Sequence, residues 1–155
     1  MSQDSVKIHK GLVGVYFDRT KTTYINGKEG ILEYCGYNIH DLAENSTFEE
    51  TAYLLLNGKL PNQSELDQFN TNLINSRSIP PKIIDIIRSI KDAHPMDVLR
   101  TSVSALSTFD EDAADKSYEA TMRKGIRLTS QVPSIVMAHN AIRNDKEPIQ
   151  PSKSL

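Results

Sequence analysis

Four histidines (His9, His40, His94 and His139) and one cysteine, Cys35, are the groups of this 155-residue chain suited to acid, base, nucleophilic or soft-ligand chemistry near neutral pH. Their spacing offers little of it. One thiol cannot make the paired ligands of a structural zinc site or an internal disulfide. His40 and Asp41 look like a dyad, but adjacent positions on a helix do not face each other. His94 immediately precedes Pro95, which suits a helix cap or a buried structural imidazole. His139 falls inside a long helical pattern and reads as packed or solvated rather than as a ligand. Asp110-Glu111-Asp112 has neither the glycine nor the alternation of a calcium loop and reads as a solvated break. Gly27 and Gly30 stand between strand-like runs rather than ahead of a helix, so they are turn glycines and not a phosphate cradle. Taken residue by residue, the sequence nominates no catalytic group, no cofactor-binding group and no metal ligand.

The elements that would carry these groups follow from periodicity. Residues 1–10 are polar and read as a flexible N-terminus. Val13 to Phe17 is a short run of strand type. Thr22 to Ile25 and Ile31 to Tyr34 flank Asn26-Gly27-Lys28-Glu29-Gly30, which predicts a β-hairpin turning at Asn26-Gly27. From Ile39 the period becomes helical. Ser46 with Glu49 forms a capping-box pattern, ahead of a helix with Phe48, Ala52, Leu55 and Leu56 on one face, and Gly58 ends it. Asn62 with Glu65 repeats the pattern for Leu66, Phe69, Leu73 and Ile74. Pro80-Pro81 opens a helix whose Ile83, Ile84, Ile86, Ile87 and Ile90 need cover around most of its girth. Pro95 starts a helix over 95–107. A long helix over 114–144 places Met122, Ile126, Thr129, Pro133, Val136 and Ile142 near one side, with a kink expected at Pro133. The fold class predicted is mainly α: an N-terminal β-hairpin followed by about six helices.

Composition narrows the setting. Charged residues make up 25% of the chain and the formal net charge is -2, so no basic surface invites nucleic acid. Residues 1–7 lack the apolar segment of a secretory signal, and no run approaches the ~18 apolar residues of a membrane span. A cytoplasmic chain is expected. A hydrophobic fraction of 38% is low for a chain that buries a core alone. It fits a marginal small domain or a piece of a larger fold.

The order of several short motifs resembles one family. Gly11-Leu12-Val13-Gly14-Val15 and Tyr24-Ile25-Asn26-Gly27-Lys28-Glu29-Gly30-Ile31-Leu32-Glu33-Tyr34 are similar to the opening of bacterial and archaeal citrate and 2-methylcitrate synthases. So are Gly36 to Ala43, Ser46 to Glu50 and Tyr53-Leu54-Leu55-Leu56-Asn57-Gly58-Lys59-Leu60-Pro61. His94-Pro95-Met96-Asp97-Val98-Leu99-Arg100-Thr101 resembles that family's His-Pro-Met helix start. One departure stands out: the family reads Tyr-Arg-Gly-Tyr where this chain has Tyr34-Cys35-Gly36-Tyr37. The thiol lacks arginine's charge and five donors, so the arginine's partner is expected to stand unpaired here.

The resemblance implies an acyltransferase that converts the acyl group to alkyl on transfer. It would join acetyl-CoA to oxaloacetate, with water, to give citrate and CoA at the entry to the tricarboxylic acid cycle. Propionyl-CoA and 2-methylcitrate are the alternative, and a non-catalytic helical dimerisation scaffold is a further one. In that family an aspartate base, an enol-stabilising histidine, a second histidine and arginines act from glycine-flanked histidine motifs, and no histidine here neighbours a glycine. The resemblance therefore implies that residues 11–155 are an incomplete large helical domain, ending before the catalytic region and inactive alone. No group is bound permanently, and acetyl-CoA is a co-substrate. It also implies a homodimer through the 95–107 and 114–144 helices, with Ser102, Ala105, Thr129 and Ala138 allowing close approach.

Overall fold

The structure is a computed structural model that describes residues 8–16 and 18–152. It begins with a 3₁₀ turn at Lys10–Leu12. The strand expected over Val13 to Phe17 does not form among its described residues: Val13 and Gly14 lie in a turn, Val15 and Tyr16 are irregular, and Phe17 lies outside the described residues. Gly14 takes φ 75, which no extended strand accommodates.

A three-stranded antiparallel sheet follows: β1 (Thr23–Asn26), β2 (Ile31–Tyr34) and β3 (Tyr37–Asn38), in that order. The β1–β2 hairpin is as expected, but its turn is not made at Asn26-Gly27. Asn26 pairs with Ile31, and Gly30 supplies the positive φ of 69. The Asn26 side-chain oxygen accepts the Lys28 amide at 3.2 Å, so the asparagine organises the loop through an Asx turn. The second hairpin escaped the sequence reading. Tyr34 pairs with Tyr37 across Cys35 (φ 51) and Gly36 (φ 88), and two consecutive positive φ values are the signature of a type I′ turn.

Six helices complete the described residues: α1 (Ile39–Asn45), α2 (Phe48–Asn57), α3 (Gln63–Asn75), α4 (Pro81–Ser89), α5 (Pro95–Leu106) and α6 (Tyr118–Arg143). The capping box of α2 lies one residue later than expected. Thr47 is the N-cap, accepting the Glu50 amide at 3.2 Å, while Glu50 accepts the Thr47 amide at 2.7 Å. The run Ser46-Thr47-Phe48-Glu49-Glu50 offers two registers of the same pattern. In α2 Leu54 is fully buried, while Phe48 is 64% and Leu55 36% exposed, so only Ala52 and Leu56 of the face assigned from sequence turn partly inward. Asn62 and Glu65 form the box of α3 as expected, and Gly58 ends α2 in the left-handed conformation.

The core lies where α6 meets α3, α4 and α5. Ile83, Ile87, Val98 and Ile135 are fully buried, with Leu106, Ala138 and Ile142 beside them and Ile84, Ile86 and Ile90 packed partly buried around the edge. The isoleucines of α4 are thus covered within this chain. A second cluster joins α2 to α3, where Tyr53 meets Phe69 edge-on with ring centroids 5.4 Å apart. Helix α6 also ties down the end of α3: the Ser130 hydroxyl donates to the Leu73 carbonyl, and Gln131 donates to the Ser78 carbonyl at 3.0 Å.

The expectations for α6 need correction: it begins at Tyr118, four residues after the 114 expected, and its inner face is not the one assigned. Its inner face is Ala120, Ser130, Ile135, Ala138, His139 and Ile142, and Val136 is 47% exposed. The helix also runs unbroken through Pro133, which lies on the exposed side. There the carbonyl that loses its ladder partner can turn to water.

Candidate functional site

The histidines are dispersed, and the rings of His9, His94 and His139 each meet a nearby backbone group. Asn38 caps α1 by accepting the His40 backbone amide at 2.9 Å, and His40 itself is exposed. His94 caps α5: its Nδ1 accepts the Met96 amide at 3.2 Å, and Pro95 fills the first helical position, where a missing N–H costs nothing. His139 is buried against the loop after α4, with Nε2 3.0 Å from the Lys91 carbonyl. A carbonyl only accepts, so Nε2 carries the proton there. No group of three His, Cys, Asp or Glu among the described residues is placed to hold a metal ion.

The acidic run after α5 departs from expectation. Asp110 and Asp112, whose side chains keep 20% and 19% exposure, are clamped onto the first half of α6. Arg127 donates to Asp110 at 2.6 and 3.1 Å and to Asp112 at 2.8 Å, and Arg123 reaches Asp112 at 2.6 and 2.9 Å. Positions 123 and 127 are one helical turn apart on α6, so both guanidinium groups face the same loop. Arg123, and then Arg127, hold the Asp112 carboxyl well below the usual carboxylate range. A carboxyl whose pKa is depressed by folding adds stability above its unfolded value, and that stability is lost as pH falls through the folded value. Urea midpoints of the chain should therefore fall from pH 6 to pH 3. In Asp112→Asn the difference between the two pH values should shrink; an undiminished difference would assign the acid sensitivity to other carboxylates.

Comparison with known proteins gives this arrangement its context. Residues 11–155 match the family described as citrate synthase, C-terminal domain. The chain belongs to the citrate synthase family. It is 42% identical to the citrate synthase of Deinococcus radiodurans over 96% of this chain and 40% of that protein. With the citrate synthase of Haloferax volcanii the identity is 37%, over 97% and 41%. It is also 38% identical to 2-methylcitrate synthase 1 of Corynebacterium glutamicum, over 94% and 38%. The crystal structure of citrate synthase from Pyrobaculum aerophilum superposes on the whole chain with a TM-score of 0.92 at 32% identity, using 41% of that structure. A citrate synthase from Thermoplasma acidophilum, solved as a ternary complex with carboxymethyl coenzyme A and oxaloacetate, gives 0.83 at 25% identity over 96% of this chain and 40% of that one. The chain thus spans about two fifths of the length of the relatives it matches.

Within a citrate synthase fold, α5 and α6 carry the small residues that the sequence reading assigned to a self-contact, and the structure places those residues differently. Ser102 is fully buried and Ala138 is 4% exposed, both inside the chain's own core, and Ala105 packs at the edge of that core. The apolar side chains that α5 and α6 leave outside are Met96, Val136 and Met137, with Leu128 and Tyr118 farther along. These could have been found by shifting the α6 face by about one residue, since Ile135, Ala138 and Ile142 keep helical spacing.

Cys35 completes the inventory. In this family's Tyr-Arg-Gly-Tyr pattern the arginine's partner was expected to stand unpaired. The thiol itself lies 3.6 Å from the Leu54 carbonyl and 3.9 Å from that of Thr22. Both already accept backbone amides, from Gly58 at 2.7 Å and Cys35 at 2.9 Å. No carboxylate is among these partners. The thiol faces the carbonyl end of α2, where a cation adds about 0.3–1 kcal/mol. Cys35→Arg should raise the unfolding free energy by an amount of that order and the thermal midpoint with it, and an unchanged or lowered midpoint would show that the turn has adapted to the thiol.

Proposed function

We propose that residues 11–155 are part of the large helical domain of a citrate synthase, and that the complete enzyme condenses acetyl-CoA with oxaloacetate. The acetyl methyl carbon would form a bond to the keto carbon, and water would then cleave the thioester to release citrate and CoA. What carries the reading is the family match over residues 11–155, together with relatives named citrate synthase at 37% and 42% identity. The bound ligands of the Thermoplasma acidophilum enzyme support coenzyme A thioester and keto acid as the substrate classes. On this reading the described residues supply scaffold: His94 and His139 and the arginines of the α6 clamp are engaged in bonds within the chain.

A second reading is supported by the 38% identity to a 2-methylcitrate synthase, which falls between the two citrate synthase values. Acetyl and propionyl thioesters differ by one methylene, worth about 1–3 kcal/mol in a fitted pocket, and scaffold helices do not register it. A third reading makes the chain a helical dimerisation scaffold without catalysis. Sequencing the DNA beyond the codon for Leu155 and expressing the whole reading frame separates them. Thiol release with oxaloacetate and acetyl-CoA, faster than with propionyl-CoA, supports the first, and the reverse preference supports the second. A frame that adds no catalytic segment and gives no turnover with either supports the third.

A further inference from the structure

Asn-Gly occurs twice in the chain, at Asn26-Gly27 in the β1–β2 loop and at Asn57-Gly58 where α2 ends. Glycine has no Cβ to shield its backbone nitrogen, so in such a step that nitrogen can approach the preceding side-chain amide closely. The structure treats the two steps oppositely. The Gly58 amide donates to the Leu54 carbonyl at 2.7 Å, and Asn57 Nδ2 donates to the Tyr53 carbonyl at 3.0 Å, so both groups are tied into the end of α2. Gly27 is exposed, and its amide has no hydrogen-bond partner among the described residues. The Asn26 Oδ1 accepts the Lys28 amide at 3.2 Å and the Glu29 amide at 3.4 Å. Two N–H donors on that oxygen polarise its carbon and hold negative charge that develops there.

We propose that Asn26 is a site of spontaneous modification, at which the side-chain amide is lost as ammonia through a cyclic imide while Asn57 is protected. The Gly27 nitrogen gives up its proton and bonds to Asn26 Cγ. The Cγ–Nδ2 bond breaks, and Nδ2 leaves as ammonia carrying that proton. Water then opens the ring. Attack at Cγ leaves aspartate, and attack at the Asn26 backbone carbonyl carbon leaves isoaspartate, with the chain rerouted through the side chain. Neither step needs an oxidant or a reductant. Either product removes the Nδ2 donor that now meets the Glu29 carboxylate at 3.0 Å and adds a like charge beside it. The loop loses its cross-link and gains a repulsion at the point where Asn26 pairs with Ile31.

The test incubates the 155-residue chain at mildly alkaline pH, which favours loss of the Gly27 amide proton. Trypsin then separates the two steps into peptides 22–28 and 29–59, and mass spectrometry reads the amide-to-acid mass gain against a sample taken at zero time. Asn26 should convert at least ~10-fold faster than Asn57, because Asn57-Gly58 must first open from the end of α2. In urea beyond the unfolding transition that difference should close. Gly27 lies outside the left-handed region and a Cβ there meets nothing within 4 Å, so Gly27→Ala should keep the hairpin while shielding the nitrogen and slowing conversion at Asn26 several-fold. Equal conversion of Asn26 and Asn57 in the absence of urea would overturn the proposal. So would a difference that persists in urea, since flanking sequence and not the fold would then set it, or undiminished conversion of Asn26 in Gly27→Ala.

Discussion

Incubated with acetyl-CoA and oxaloacetate, the purified 155-residue chain is expected to release no CoA thiol above a heat-killed control. The proposed condensation needs a base for the methyl proton, a donor at the developing enol oxygen and cations around the keto acid carboxylates. Only groups that meet charge as it forms in the transition state raise the rate. His94 is occupied as a helix cap and His139 as a donor to the Lys91 carbonyl. Arg123 and Arg127 are held by Asp112 and Asp110, Arg88 by Glu147 and Arg100 by Asp97. A substrate would have to break a structural bond to recruit any of these. Turnover by the chain alone would sink this account and place catalytic groups within residues 1–155.

The fold was legible where the signal was local. Asn62 with Glu65, Gly58, Pro81 and Pro95 each mark a helix end by a mechanism confined to a few residues, and each stands where expected. Legibility failed where one pattern had two registers or where the partner was distant. Ser46-Thr47-Phe48-Glu49-Glu50 permits two capping boxes, and the structure takes the later one. The turn at Cys35-Gly36 was hidden because cysteine gives no sequence signal for positive φ. The acidic run was read as solvated because its arginines lie 11 to 17 residues away, on another element. One cue was available: Arg123 and Arg127 stand one turn apart on a helix that begins soon after that run. For chemistry, the sequence reading rested on the placement of all four histidines outside any glycine-flanked motif.

The other large effect separates two neighbours on α6. Ala138→Arg is expected to unfold the chain, whereas Met137→Arg should leave it folded. Ala138 is 4% exposed and packs among Val98, Leu106, Ile135 and Ile142, while Met137 is 63% exposed. An arginine at 138 brings both excess volume and a charge with no partner into that cluster. Overpacking alone costs about 1–3 kcal/mol, and an unpaired buried ion adds several kcal/mol more. A small domain has about 5–15 kcal/mol in total. Far-UV circular dichroism and a urea titration should therefore show a cooperative transition for Met137→Arg and none for Ala138→Arg. A folded Ala138→Arg would mean that this side of α6 opens outward and that the core assignment is wrong. The same pair then tests the proposed two-fold contact, which the sequence reading had assigned to the small residues. If α5 and α6 meet a second copy, the contact has to use the face they leave outside, carrying Met96, Val136 and Met137. In the protein expressed from the whole reading frame, Met137→Arg should lower the mass measured by light scattering towards that of one chain. A variant that keeps the parental mass and dissociation constant would show that this face is not where two copies meet.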